Sequence, residues 1–127
     1  MDTRTKIITA EEAAALAHGD RPAVLVTGPF DVLLAAHVRE VGRVRAGLPD
    51  AVLVVALTTP EQPVLDARAR AEMVAALEVV DYVVSLEDQQ MGSLLAAFQA
   101  EHIVRLEAAH EQRRRELIQH VHRRQSG

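Results

Sequence analysis

The run Thr27-Gly28-Pro29-Phe30-Asp31, continuing through Leu34, Ala35 and Ala36 to His37, holds the residues whose types and spacing could do chemistry. A glycine directly after an apolar run lets backbone and ligand approach closely. A helix starting just beyond Asp31 presents free N–H groups that suit a phosphate. His37, about one turn into that helix, could hydrogen-bond phosphate oxygens or stabilise charge on a departing pyrophosphate. The plainer reading is a tight strand–helix connection. In it Phe30 is a core residue, Asp31 orients the loop or the helix start, and His37 is a structural polar residue.

A second candidate set is basic. Arg113, Arg114 and Arg115, with Arg105 and His110 nearby in sequence, form a local cluster in a chain of net charge −4. Guanidinium forks suit phosphate, so the cluster is a candidate anion site; a solvated helix face is the alternative. Cations at a helix start oppose the helix dipole, which gives a reason to look for an anion there. Thr58 and Thr59 follow an apolar run and read as turn residues that could also contact a ligand. His120 and His122 lie two apart on a helical pattern and point to different faces, so no metal site is expected from them. No G-x-G-x-x-G or phosphate-loop motif is present, and no Ser-His-Asp arrangement rises above chance.

The elements that must position these residues alternate along the chain. Residues 10–18 read as a helix, with Thr9 and Glu12 at capping-box spacing and Gly19 and Pro22 ending it. Residues 23–27 form a short β-branched strand. A helix over 34–46 carries Leu34, Val38, Val41 and Val44 at helical spacing. Residues 51–57 are a second strand, apolar on both faces. After a loop with two prolines comes a helix over 67–79, with Arg68, Arg70 and Glu78 expected in solvent. Strands at 82–84 and 102–106, a helix at 90–99 and a final helix at 109–124 complete the pattern. Strand–helix alternation with doubly apolar strands implies a parallel sheet covered on both faces. With right-handed crossovers the expected class is α/β, a doubly wound, Rossmann-like sheet of the five-stranded type sandwiched by helices. Ligands on such folds bind at the carboxyl ends of the strands, where strand order reverses, which again selects the loop after the first strand.

Length and composition bound the answer. One domain over 1–127 is expected, and 49% apolar residues suffice for a core. The absence of cysteine excludes disulfide frameworks, thiolate metal sites and cysteine nucleophiles. Three aromatic residues, Phe30, Tyr82 and Phe98, are too few for a base-stacking platform, and the acidic balance argues against nucleic acid as a partner. No stretch approaches the ~18 apolar residues of a membrane helix, and the acidic N-terminal stretch is unlike a signal peptide, so a cytoplasmic protein with no membrane partner is expected. Of the 14 basic residues only Lys6 is a lysine.

Three separated segments together carry a family resemblance. Gly28, Phe30, Asp31 and His37 stand at the matching places of the pattern T-x-G-x-F-D-x-x-H-x-G-H. Residues 67–84, ARARAEMVAALEVVDYVV, are similar to E-R-A-x-x-L-A-A-L-x-x-V-D-x-V-V, with Arg70 at the arginine, where the resemblance named below implies an interface or structural role in place of a solvated one. The opening Lys6-Ile7-Ile8-Thr9-Ala10-Glu11-Glu12 is similar to the lead-in to the first strand, and Arg105 falls at the lysine of V-K-G. The chain thus resembles the cytidylyltransferase-like nucleotidyltransferases, in particular the heptose-1-phosphate adenylyltransferase and glycerol-3-phosphate cytidylyltransferase branch, over nearly its whole length.

The resemblance implies transfer of a nucleoside monophosphate from CTP or ATP to a phosphorylated small molecule, with Mg²⁺ carried by the nucleotide phosphates and release of pyrophosphate. It further implies a homodimer and a nucleotide pocket formed by Thr27, Gly28, Pro29, Phe30, Asp31, Ala36 and His37. His37 would be the catalytic residue, and Arg105, Arg113, Arg114 and Arg115 the phosphate-binding candidates. Such catalysis is mostly positioning and charge stabilisation. The chain departs from the pattern at several of these points. Leu34 replaces the first histidine and cannot donate a hydrogen bond. Ala36 replaces the small glycine, so its methyl intrudes on nucleotide space. The loop from Thr58 to Pro63 is short and lacks the expected lysine, and Arg113 to Arg115 stand where small hydroxyl residues are expected. One lost phosphate donor costs ~10²–10³ in rate. Two expectations follow: a nucleotidyltransferase with weakened or lost transfer, or an inactive member acting as a nucleotide-sensing or interaction module.

Overall fold

The computed structural model describes residues 2–31, 35–59 and 63–107. A short 3-10 turn, Thr3–Lys6, leads into helix α1, Ala10–Leu16. Its start is the capping box read from the sequence: Glu12 N–H donates to Thr9 Oγ1 and Thr9 N–H donates to the Glu12 carboxylate, both at 3.1 Å. Strand β1 covers Ala23–Gly28, helix α2 Ala35–Gly47, strand β2 Val52–Leu57 and helix α3 Ala67–Ala75. Asp66 caps α3 by accepting from Ala69 N–H at 2.7 Å. Strand β3 is Tyr82–Ser85, helix α4 Asp88–Ala97 and strand β4 Ile103–Arg105.

All pairings are parallel, in the order β3-β2-β1-β4. Ala23 to Gly28 of β1 lie against Val52 to Leu57 of β2, and Thr27 pairs with Arg105 of β4. The period-2 alternation of strands divides the core cleanly. Val24, Val26, Leu53, Val55, Leu57 and Val83 pack on one face with Val41 of α2 and Val74 of α3. Leu25, Val54, Ala56 and Val84 pack on the other with Ala13 of α1 and Leu94 of α4. Helices on both faces of a parallel sheet make this the expected Rossmann-like α/β arrangement. Four strands are seen among the described residues, against the expected five-stranded type. No helix among them is long and apolar enough to cross a membrane. The expected helix at 109–124 lies outside them.

Several helix limits shift. Helix α1 stops at Leu16 rather than 18, and α4 begins at Asp88 rather than 90. Helix α3 ends at Ala75, well short of 79. From Ala76 the chain turns to bury Val80 and to deliver Asp81 N–H to the Leu53 carbonyl at 3.0 Å. The carbonyls of Leu77 and Val79 accept from Lys6 Nζ and from Arg45. Those donors come from 71 and 34 residues away, so helical periodicity could not reveal the early stop.

The amino ends of the strands are tied by Arg45. Its guanidinium donates to the carbonyls of Val79 (2.8 and 3.1 Å) and Ala51 (2.6 Å) and to the Asp81 carboxylate (2.6 Å). The same Asp81 oxygen accepts from Leu53 N–H at 2.9 Å.

Candidate functional site

Strand β1 has β2 on one side and β4 on the other, while chain order runs β1, β2, β3, β4. The reversal of winding therefore lies between β1 and β4, and the crevice at their carboxyl ends is where such sheets take ligands. Thr27 and Gly28 close β1 there, and Arg105 closes β4. The chain is anchored across the gap, with Leu106 N–H donating to the Thr27 carbonyl at 2.8 Å. Thr27 is fully buried, and its hydroxyl Oγ1 finds no hydrogen-bond partner among the described residues. Arg105 has a side chain 57% exposed and lies 3.4 Å from the Glu107 carboxylate, a surface ion pair of small energetic weight.

Beyond Gly28 the backbone bends sharply. Phe30 has φ of 46°, the left-handed region, which is unfavourable for a bulky side chain. Such a conformation costs of order 1–3 kcal/mol and persists where the surroundings over-determine it. Here they do: the Phe30 ring is fully buried in the core beneath α2 and α3. Pro29 is half-buried.

Asp31 is buried, and among the described residues it reaches across to a second loop. Its carboxylate accepts from Val64 N–H (2.8 and 3.0 Å) and Leu65 N–H (2.9 Å), in the loop between β2 and α3. Besides the loop or helix start it was expected to orient, Asp31 thus holds backbone 33 and 34 residues onward.

Arg70, expected in solvent from its helical position but given an interface or structural role by the resemblance, is only 4% exposed. One terminal nitrogen, Nη1, donates to Pro29 O (3.0 Å) and Thr58 O (2.8 Å), one carbonyl from each loop. Its Nε is buried with no partner among the described residues. A charged residue at this point of α3 looks like a solvated one in sequence. What draws it inward is a pair of backbone carbonyls, and these leave no trace in residue type.

His37 sits in the first turn of α2, 4% exposed. Its ring stands edge-on to Phe30, with centroids 6.1 Å apart and planes at 74°. This is a favourable aromatic geometry, and it brings together two residues that the sequence placed seven apart. Ala36 beside it is half-buried. Thr58 is half-buried and Thr59 exposed; Thr58 contributes backbone, its N–H donating to the Gly28 carbonyl at 3.0 Å. Thr27, Gly28, Pro29, Phe30, Asp31, Ala36 and His37 are thus gathered at one end of the sheet, with Arg105 across the switch. Leu34, the centre of the short loop at 60–62, His110 and Arg113 to Arg115 lie outside the described residues. No group of three or more His, Asp or Glu side chains among the described residues could hold a metal ion.

An open cleft of about 930 Å³ lies elsewhere, at the amino ends of β2 and β3, lined by Lys6, Arg21, Asp81 and Tyr82 among others. It belongs to the end knotted by Arg45, away from the ligand-binding edge of such sheets.

No family model matches the chain. Two curated proteins are similar to it. The bifunctional protein HldE of Nitrobacter hamburgensis is 36% identical over 85 residues, 61% of this chain and 17% of that protein. The bifunctional protein HldE of Trichlorobacter lovleyi is 31% identical over 108 residues, 80% of this chain and 21% of that protein. The chain spans about a fifth of the length of these relatives. The likeness supports a relationship to the cytidylyltransferase-like nucleotidyltransferases.

Proposed function

We propose that the chain is a nucleotide-binding domain of the cytidylyltransferase-like type, with transfer of a nucleoside monophosphate from CTP or ATP to a phosphorylated small molecule weakened or lost. One observation carries the reading: Gly28 to Asp31 lead on from the carboxyl end of β1 and His37 lies in the first turn of α2, beside the β1/β4 switch. The likeness to the HldE proteins supports it. In this reading the substrate is the Mg²⁺ complex of the nucleotide, with the ion held by phosphate oxygens. Thr27 to Asp31, with Ala36, frame the nucleotide. His37 meets a phosphate, and Arg105 with Arg113 to Arg115 replaces the missing donors. The molecule works as a homodimer in the cytoplasm.

Weakened transfer follows from the donor set. Leu34 offers no hydrogen bond where a phosphate donor is needed, and Ala36 fills space that a glycine would leave open. The same substitutions favour a second reading, an inactive member that senses nucleotide or binds another protein.

Thermal denaturation with Mg²⁺–ATP and Mg²⁺–CTP tests the pocket, since ligand at ~100 times Kd adds ~2.7 kcal/mol of stability. Stabilisation by either nucleotide is the expected result, and none by both removes the pocket. Pyrophosphate release over a panel of phosphorylated sugars and alcohols then separates the readings. Slow or absent turnover is expected; turnover at ordinary enzyme rates overturns the loss of activity. Light scattering that gives a monomer at high concentration overturns the homodimer.

A further inference from the structure

Asp31 and Arg70 make a reciprocal pair of cross-links. Asp31 starts in the β1–α2 loop and holds two N–H groups of the β2–α3 loop. Arg70 starts on α3 and holds one carbonyl of each loop, both through the same nitrogen. Sharing one donor nitrogen makes the carbonyls of Pro29 and Thr58 move together or lose their bonds. The Thr58 N–H to Gly28 carbonyl bond adds a third tie between the same two segments. Burying a guanidinium is unfavourable, and an apolar side chain would sit beside Ala71 and Val74 without that cost. Arg70 keeps its place with an Nε that meets no partner among the described residues, so stability alone does not account for it.

We propose that Arg70 is a positioning residue: with Asp31 it locks the β1–α2 and β2–α3 loops into one unit that presents a preset frame at the carboxyl ends of β1 and β2. The effect on ligand affinity rests on the nucleotide reading above; the lock itself does not. The control is Arg45, which also grips carbonyls but lies at the opposite end of the sheet.

The experiment compares Arg70→Met and Arg45→Met in the full chain. The first readout is hydrogen exchange of the Val64 and Leu65 amides without ligand. Arg70 touches neither amide, so a purely local role leaves them unchanged. The lock predicts exchange about tenfold faster in Arg70→Met, and no comparable acceleration in Arg45→Met at matched global stability. Equal rates in the two variants overturn it. The second readout is the Kd for Mg²⁺–ATP and Mg²⁺–CTP. Arg70→Met is expected to bind about 10- to 100-fold more weakly, as a misplaced frame does, while Arg45→Met binds as the parent. Unchanged affinity in Arg70→Met overturns the positioning role even where exchange shows a lock. If the parent chain binds neither nucleotide, the nucleotide reading and the positioning role fall together, and exchange still decides the lock. If Arg70→Met does not fold, Arg70→Lys takes its place; with one ammonium to reach two carbonyls it is expected to show a smaller change of the same sign in both readouts.

Discussion

The two ends of the sheet each hold an arginine that grips backbone carbonyls, and the two are satisfied differently. At the amino end Arg45 meets the carbonyls of Val79 and Ala51 and a carboxylate, Asp81, which itself holds Leu53 N–H. At the carboxyl end Arg70 meets two carbonyls and no carboxylate among the described residues, and its Nε is unmet. The same end holds the orphaned hydroxyl of Thr27 and the left-handed backbone at Phe30. One end is a finished knot whose groups satisfy one another. The other keeps polar atoms and backbone strain that a purely structural turn would avoid, and such departures from local rules gather where a protein binds. The contrast supports the nucleotide site proposed at the carboxyl end, although an open cleft lies at the other.

Four substitutions break or sharpen this contrast. Phe30→Ala has the largest effect. It empties a fully buried ring site and removes a ring contact of His37, and it should cost about 3–4 kcal/mol in urea denaturation. Nucleotide stabilisation should disappear with it. Asp81→Ala strands Arg45 and Leu53 N–H; because that pair is partly exposed, the expected cost is about 2 kcal/mol. Its nucleotide affinity should match the parent, and a loss there breaks the division into two ends. His37→Ala should cost about 1 kcal/mol through its ring contact. It should also abolish the thermal shift with nucleotide, and a surviving shift marks the histidine as structural. Thr27→Val is the smallest and sharpest test. Removing an unpaired buried hydroxyl should leave stability unchanged or raise it by up to about 1 kcal/mol, by chemical denaturation. Weaker nucleotide binding in this stable variant then assigns the hydroxyl to the ligand, and unchanged binding removes it from the pocket.

Much of the architecture was legible in the residues. The β-branched runs at 23–27, 51–57 and 82–84 mark the strands, because strands buried on both faces must be apolar throughout. The capping box at Thr9 and Glu12 was readable because both partners lie within one turn. The Gly28–Asp31 turn and His37 were readable as a group by type and spacing. The destinations of Asp31 and Arg70 were not. Their partners are peptide N–H and C=O groups 12 to 41 residues away, and every residue carries those groups whatever its side chain. For the same reason the helical pattern put Arg70 in solvent, where only the family resemblance suggested a structural role, and α3 was expected to run to 79.

The composition, the alternation of strands and helices and the glycine-to-histidine turn are properties of residue type at short range, and the sequence by itself determined them. Which strand lies beside which, and hence where the winding reverses, only the tertiary structure decided. It decided likewise that one arginine closes a knot while another ties two loops. Both outcomes depend on which backbone groups arrive within about 3 Å of a guanidinium once the sheet has assembled.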